Sequence, residues 1–287
     1  MTTDANEQRV ASPVTAVTPQ TGGASGGGAH DGGEGGERAS GGDGEGKAVR
    51  RFRLAATSDL HCRGAEQVTR LRDLFRAVND EAEGLVMCGD LTDRGLIDEA
   101  KALADALSGL KVPCAAVLGN HDLDHGVGQE IMQILRSAGI HVLDGDHVEF
   151  NDDVGVAGVK GFCGGFGSAM LQAFGEGPIK AFVQEAVSEE LKLEAALAQL
   201  DTARKVVIMH YAPVPDTTLG ENLEIRSYLG SSRLAAPVDM YGADVVFHGH
   251  AHHGTMEGRT AKGVPVYNVA FPLLKKSVGQ GFFVVDL

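Results

Sequence analysis

The sequence predicts an α/β domain in which parallel strands carry helices on their outer faces. Three observations predict it. Short apolar runs alternate with stretches at helical spacing between residues 52 and 138. Each of those runs stops at a cluster of Asp, Asn, His and Gly, where ligand sites of such sheets lie. The last third holds more strand-like runs separated by Gly-containing turns, which points to a second sheet of antiparallel character.

The elements follow in order. Residues 1–48 form a Gly-rich acidic tail with little to bury, expected to be a disordered, dispensable extension, with a tether or an arm for a partner as the alternative. Residues 49–287 form the domain. Phe52 to Thr57 reads as a strand ending at Ser58-Asp59-Leu60-His61. A helix follows over 65–79, because Val68, Leu71, Leu74, Phe75 and Val78 share one face. Leu85 to Cys88 is a buried strand closed by Gly89-Asp90-Leu91-Thr92-Asp93. A helix over 96–107 leads to a strand over 113–118, which ends at Gly119-Asn120-His121-Asp122, and a third helix covers 128–138. Short strands are expected at 140–143, 147–150 and 154–159. The run Gly161 to Gly167 reads as a loop over the site, with Phe162 or Phe166 as a lid or substrate wall. It is no P-loop, since the closing Gly-Lys-Ser/Thr is missing. A long helix covers 179–200, and a strand over 205–209 ends at His210-Tyr211. Loop with some helix fills 216–231, then a helix covers 234–241. Strands are expected at 245–247, 252–257, 264–270 and 281–286.

The chemistry concentrates in Asp244 to His253, read D-V-V-F-H-G-H-A-H-H. A buried strand reaches Gly249, where the backbone turns and His250 and His252 face one site. Asp59, His61, Asp90 and Asn120 stand at the ends of three successive strands, so they are expected to meet in space. Together with His210, His250 and His252 they form a carboxylate–imidazole set that suits Mn, Fe, Zn or Co better than calcium. Two such ions sharing a carboxylate are a common device for phosphoryl transfer.

At this point a resemblance becomes specific. Asp59-Leu60-His61, Gly89-Asp90-Leu91-Thr92-Asp93, Gly119-Asn120-His121-Asp122, the lone His210 and Gly249-His250-Ala251-His252 occur in the order of the calcineurin-like metallophosphoesterase superfamily, which the chain resembles over residues 52–287. The resemblance implies a four-layer sandwich, two mixed β-sheets flanked by α-helices. It implies that Asp59, His61 and His252 hold one metal, that Asn120, His210 and His250 hold a second, and that Asp90 bridges them. A manganese or iron–manganese pair is favoured, and a metal-held hydroxide attacks phosphorus in line. His121 then contacts the phosphate or protonates the leaving oxygen, and Asp122 orients His121. His125, Phe162, Phe166 and Tyr211 are candidate substrate contacts, and Arg63 or Arg226 a candidate phosphate partner. Asp93 and His248 are read as supporting residues, and His253 as turned away.

Gly-Asn-His-Asp and the compact chain favour a phosphodiesterase acting on a small diester or nucleotide. A phosphomonoesterase or protein phosphatase is the alternative. An alternative of another class is a non-catalytic scaffold, against which the complete ligand set speaks. The formal charge of -14 disfavours large nucleic acids as partners. Cys62, Cys88, Cys114 and Cys163 have no paired spacing, which suits a reduced, cytoplasmic setting. No signal peptide or membrane span is expected.

Overall fold

The computed structural model describes residues 51–287. The tail assigned to residues 1–48 lies outside the described residues. The first sheet has the order β11-β1-β2-β3-β4, formed by β1 (Arg53–Thr57), β2 (Gly84–Cys88), β3 (Cys114–Val117), β4 (His141–Val142) and β11 (Phe283–Asp286). β1 to β4 run parallel and β11 pairs antiparallel with β1. The second sheet has the order β5-β6-β7-β8-β10-β9, from β5 (Asp146–Glu149), β6 (Val154–Val159), β7 (Arg204–Met209), β8 (Val245–His248), β9 (Glu257–Arg259) and β10 (Pro265–Asn268). Its four inner strands are parallel, and only β5 and β9 at its edges are antiparallel. The sheet is therefore mixed rather than antiparallel. Both sheets are covered on two faces, and parallel pairing requires crossover elements to cover them.

Strand alternation builds the layers. Leu85 and Met87 face α1 (Val68–Glu81), α2 (Ile97–Leu107) and α3 (Gly128–Ser137), where they join Leu71, Phe75, Leu103 and Ile131 in one core. Val86 and Cys88 point the other way and meet Val156, Val206, Ile208 and Phe247 between the sheets. Val207, Met209 and Val246 face outward from the second sheet, against Leu193 and Leu197 of α4 (Gly177–Gln199) and Val238 of α5 (Ala235–Tyr241). The result is four layers, helix–sheet–sheet–helix, as the resemblance implied.

Two assignments change. The strand expected at 252–257 is a turn, and strand geometry begins only at Glu257. The backbone there is committed elsewhere: Gly254 N–H donates to Ala251 O, and Thr255 N–H donates to Thr217 O. Residues 271–277, too short a stretch to show helical periodicity, form α6 (Phe271–Ser277), with Pro272 in its first turn and Leu273 and Leu274 buried.

Candidate active site

The loops after β1, β2, β3, β7 and β8 converge at the carboxyl ends of parallel strands in both sheets. The chain turns sharply there. Asp59, His61, Asp90 and His250 all adopt left-handed backbone, with φ of 55°, 43°, 48° and 68°. Each such conformation costs on the order of 1–3 kcal/mol in a residue with a side chain, and such strain clusters at functional sites. The neighbours pin it. Ser58 Oγ donates to Cys88 O at 2.7 Å, Asp59 N–H donates to Gly89 O, and His61 N–H donates to Asp90 O.

Three overlapping clusters result, one of them joining His61, Asp90 and His121. Asp59, His61 and His252 each present a ligand atom within 4.8 Å of the others, and Asp90, His210 and His250 do the same. Asp90 reaches both, lying 3.8 Å from His61 Nε2 through Oδ2 and 3.4 Å from His210 Nε2 through Oδ1. Asn120 Oδ1 sits 2.9 Å from His210 Nε2. His252 Nε2 approaches Asp59 Oδ1 at 2.9 Å, and His250 N–H donates to the same carboxylate.

The electrostatics call for a cation. Burial, joined by the charges of Asp59 and Asp122, pushes Asp90 up to about 9. Burial opposes ionisation of Asp59, but the His252 hydrogen bond and the neighbouring His210 hold its pKa below the usual range. Burial lowers His61, His210 and His250, so their rings are neutral donors of lone pairs. His252 is raised by its bond to Asp59. Both ring nitrogens of His61 are buried without a hydrogen-bond partner, an expensive arrangement unless a ligand completes it. His210 Nδ1 faces the Cys88 carbonyl at 2.9 Å, which can only accept. Its Nε2 lone pair is thereby turned onto Asn120 Oδ1 and Asp90 Oδ1, three acceptors together. A bound cation would satisfy all three. The donor set of imidazole nitrogens and carboxylate oxygens fits first-row transition metals.

Residues 52–254 match the calcineurin-like phosphoesterase family. The chain belongs to that family. An uncharacterized metallophosphoesterase of Aquifex aeolicus is 27% identical over 71% of this chain, and the match spans 64% of that relative's own length. Among solved structures, the phosphopantetheinyl hydrolase of Mycobacterium tuberculosis has a TM-score of 0.59 at 18% identity, covering 81% of this chain and 95% of that one. TT1561 of Thermus thermophilus has a TM-score of 0.53 at 16% identity, covering 83% and 99%. At such identities the two structures speak for the fold, which is the metallophosphoesterase fold. This family hydrolyses phosphoesters with bound metal, and the clusters of this member suit that dependence.

The remaining predicted residues are distributed unevenly around this centre. His121 lies at its mouth, with its ring 4.6 Å from that of His61 and its N–H donating to Asp90 Oδ1. Its Nδ1 meets Asp93 O at 2.6 Å, and its Nε2 lies 4.0 Å from Asp90 Oδ2. The pairing of Asp122 with His121 is not what the geometry has. The Asp122 carboxylate is fully buried and accepts from Leu91 N, Gly119 N, Thr92 N and Thr92 Oγ1. Four donors surround it because two loops must be held together, so it ties the Asp90 loop to the Asn120 loop. Asp93 instead supports the imidazoles, through its carbonyl to His121 and with Oδ1 3.5 Å from His61 Nδ1.

Tyr211 packs against the second cluster, 4.7 Å from the His250 ring and 5.4 Å from that of His210. Phe162 stands one layer back, touching Tyr211 at 5.9 Å and Phe182 at 5.0 Å. Phe166 is half-buried, and its carbonyl accepts from Ala169 N. His125 is exposed and engaged by the Arg94 carbonyl. Arg226 is spent on Thr218 Oγ1 and Pro215 O. His248 is buried between Gly249 O and Thr217 Oγ1, a supporting residue as expected. Two supporting residues have no signal in the sequence: Asn268 Nδ2 donates to Ala251 O, and Thr217 O accepts from Thr255 N–H. They come from distant segments, and no local pattern marks them.

Proposed function

We propose that this chain is a phosphodiesterase that hydrolyses a small diester or nucleotide with two bound metal ions. The observation that carries the reading is that Asp90, grouped with His210 and His250, also reaches His61 of the Asp59–His61–His252 cluster. Asp59, His61 and His252 would hold one ion and Asn120, His210 and His250 the other, with Asp90 between them; manganese or an iron–manganese pair fits the donors. Such ions, when bound, make a water-derived nucleophile available near neutral pH and offset charge on the phosphate oxygens.

The chain's own residues supply the rest. Asp93 O holds His121 Nδ1–H, so Nε2 is aimed to contact a phosphate oxygen or to deliver a proton to the leaving oxygen. A diester leaving group departs as an alkoxide and needs that proton. Arg63, the arginine that follows His61 most closely, is drawn 3.3 Å from Asp93 Oδ2. A diester carries one negative charge where a monoester carries about two. A centre whose neighbouring arginine is already paired therefore favours the diester.

The test is turnover of bis(p-nitrophenyl) phosphate against p-nitrophenyl phosphate by the manganese-loaded protein, with metal content read on the same sample. We expect two ions per chain and a kcat/KM at least about tenfold higher for the diester, a difference of about 1.4 kcal/mol in transition-state binding. His250→Ala should lower both metal content and turnover. Preference for the monoester would replace the diester reading by a phosphatase one, and full activity with unchanged metal in His250→Ala would refute the ligand set.

A further inference from the structure

The Asp59–His61–His252 cluster opens into a cleft of about 600 Å³ whose far wall is built by the start of α1 and by α6. Its volume is that of a small-molecule site. The chain carries a net charge of -14, yet this cleft is lined by Arg63, Arg70 and Lys275 against Asp59 and Asp93. Asp93 is already paired with Arg63. Arg70 and Lys275 have no carboxylate partner among the described residues. Asp73, one turn beyond Arg70, is bonded to Arg76 at 2.7 Å. Both cations rest on one ring: Arg70 Cζ lies 4.9 Å from the centroid of Phe271, and Lys275 Nζ lies 5.5 Å from it. Cation–π contact restrains the two side chains without using their N–H donors. The guanidinium keeps its two-pronged face for a phosphate or carboxylate, and the ammonium adds a point charge beside it.

We infer that Arg70 and Lys275, steadied on Phe271, bind a second anionic group of the substrate. The preferred substrate is then a diester or nucleotide with another phosphate or carboxylate besides the ester that is cleaved. This rests on the phosphodiesterase reading for the reaction, but not for the anion site itself. A purely structural role for the trio, joining α1 to α6, would stabilise the fold without distinguishing one phosphate from two.

The discriminating measurement is calorimetric binding of adenosine 3′,5′-bisphosphate and adenosine 5′-monophosphate to the full chain loaded with manganese. The bisphosphate should bind at least about tenfold more tightly, since two charge-assisted contacts are added. That ratio should fall towards one in Arg70→Gln and in Lys275→Gln, and recover in part in Arg70→Lys. Lys276→Gln, a neighbouring exposed lysine outside the cleft, serves as the control and should keep the ratio. Equal binding of the two nucleotides by the unaltered protein would overturn the inference. So would a ratio unchanged in the Arg70 and Lys275 variants, or one lost equally in the control. Diester turnover is read separately: its absence would remove the phosphodiesterase reading, while the binding ratio would still judge the cleft.

Discussion

At the scale of single residues, the site is a set of groups that each stand in an unfavourable state until a cation joins them. His61 is buried with neither ring nitrogen hydrogen-bonded, Asp90 is pushed up to about 9, and the His210 lone pair faces oxygens. Asp122 shows how a sequence pattern and a geometry can part. It follows His121 directly and suggests a carboxylate–imidazole pair, yet its oxygens collect four donors from the neighbouring loops. A positioning residue of this kind should reveal itself in stability. Asp122→Asn turns an NH2 group towards backbone N–H donors and should destabilise the fold by about 3 kcal/mol. His121→Ala, half-exposed, should cost much less. Urea unfolding of both variants measures the contrast, and equal losses would return Asp122 to the role of an imidazole partner.

At the scale of elements, ligands sit on the turns that end parallel strands, and close approach makes those turns work. Gly249 is extreme: a Cβ there would fall on Ser58 Oγ and Asp59 Oδ2. Gly119 stands in the same relation to Asp90. The β8 turn can approach the β1 turn only because position 249 lacks a side chain, and this brings His250 N–H onto Asp59. Gly249→Ala must push the two turns apart. It should weaken manganese binding at the Asp59 side by about 10–100-fold, the range seen when groups supporting metal ligands are altered. Calorimetric titration with manganese checks this, and unchanged affinity would show that the turns are more pliant than their packing implies.

At the scale of the whole molecule, two sheets bury their shared faces, and polar groups near the site are carried into that interior with them. His248 ends β8 fully buried. Burial pushes its pKa down to about 4, against the pull of the Gly249 carbonyl, while the unfolded chain returns it to about 6.5. The folded state therefore binds fewer protons in this window. The stability it contributes is complete above about pH 6.5 and is lost as pH falls towards 4. Between pH 7 and pH 5 this one group should remove about 2 kcal/mol. Urea unfolding at both values should give His248→Gln a smaller drop than the unaltered chain by about that amount. Identical drops would mean that His248 is protonated at no cost. Among the described residues no helix is long and apolar enough to cross a membrane, and the four cysteines are buried and free.

The sequence by itself determined the alternation of strand and helix through the first sheet, the strand ends on which the site would form, and the family. Those features are local: an apolar run, a turn and the ligands beside it are adjacent in the chain, so their pattern is visible without a fold. Even the two-sided burial of β2 was legible, because Leu85 to Cys88 is apolar without alternation. What only the tertiary structure decided depends on segments far apart in sequence. β11 returns from the end of the chain to pair with β1, and α6 packs beside α1 to wall the cleft. The turn at 252–257 is held by Thr217 rather than by a strand partner. Thr217, in the helical turn 216–218, and Asn268, at the end of β10, support the histidines from two other segments. Hydrogen bonds and ring contacts across such separations are chosen by competition among whole-chain packings, and a short stretch of sequence carries no record of the partner that wins.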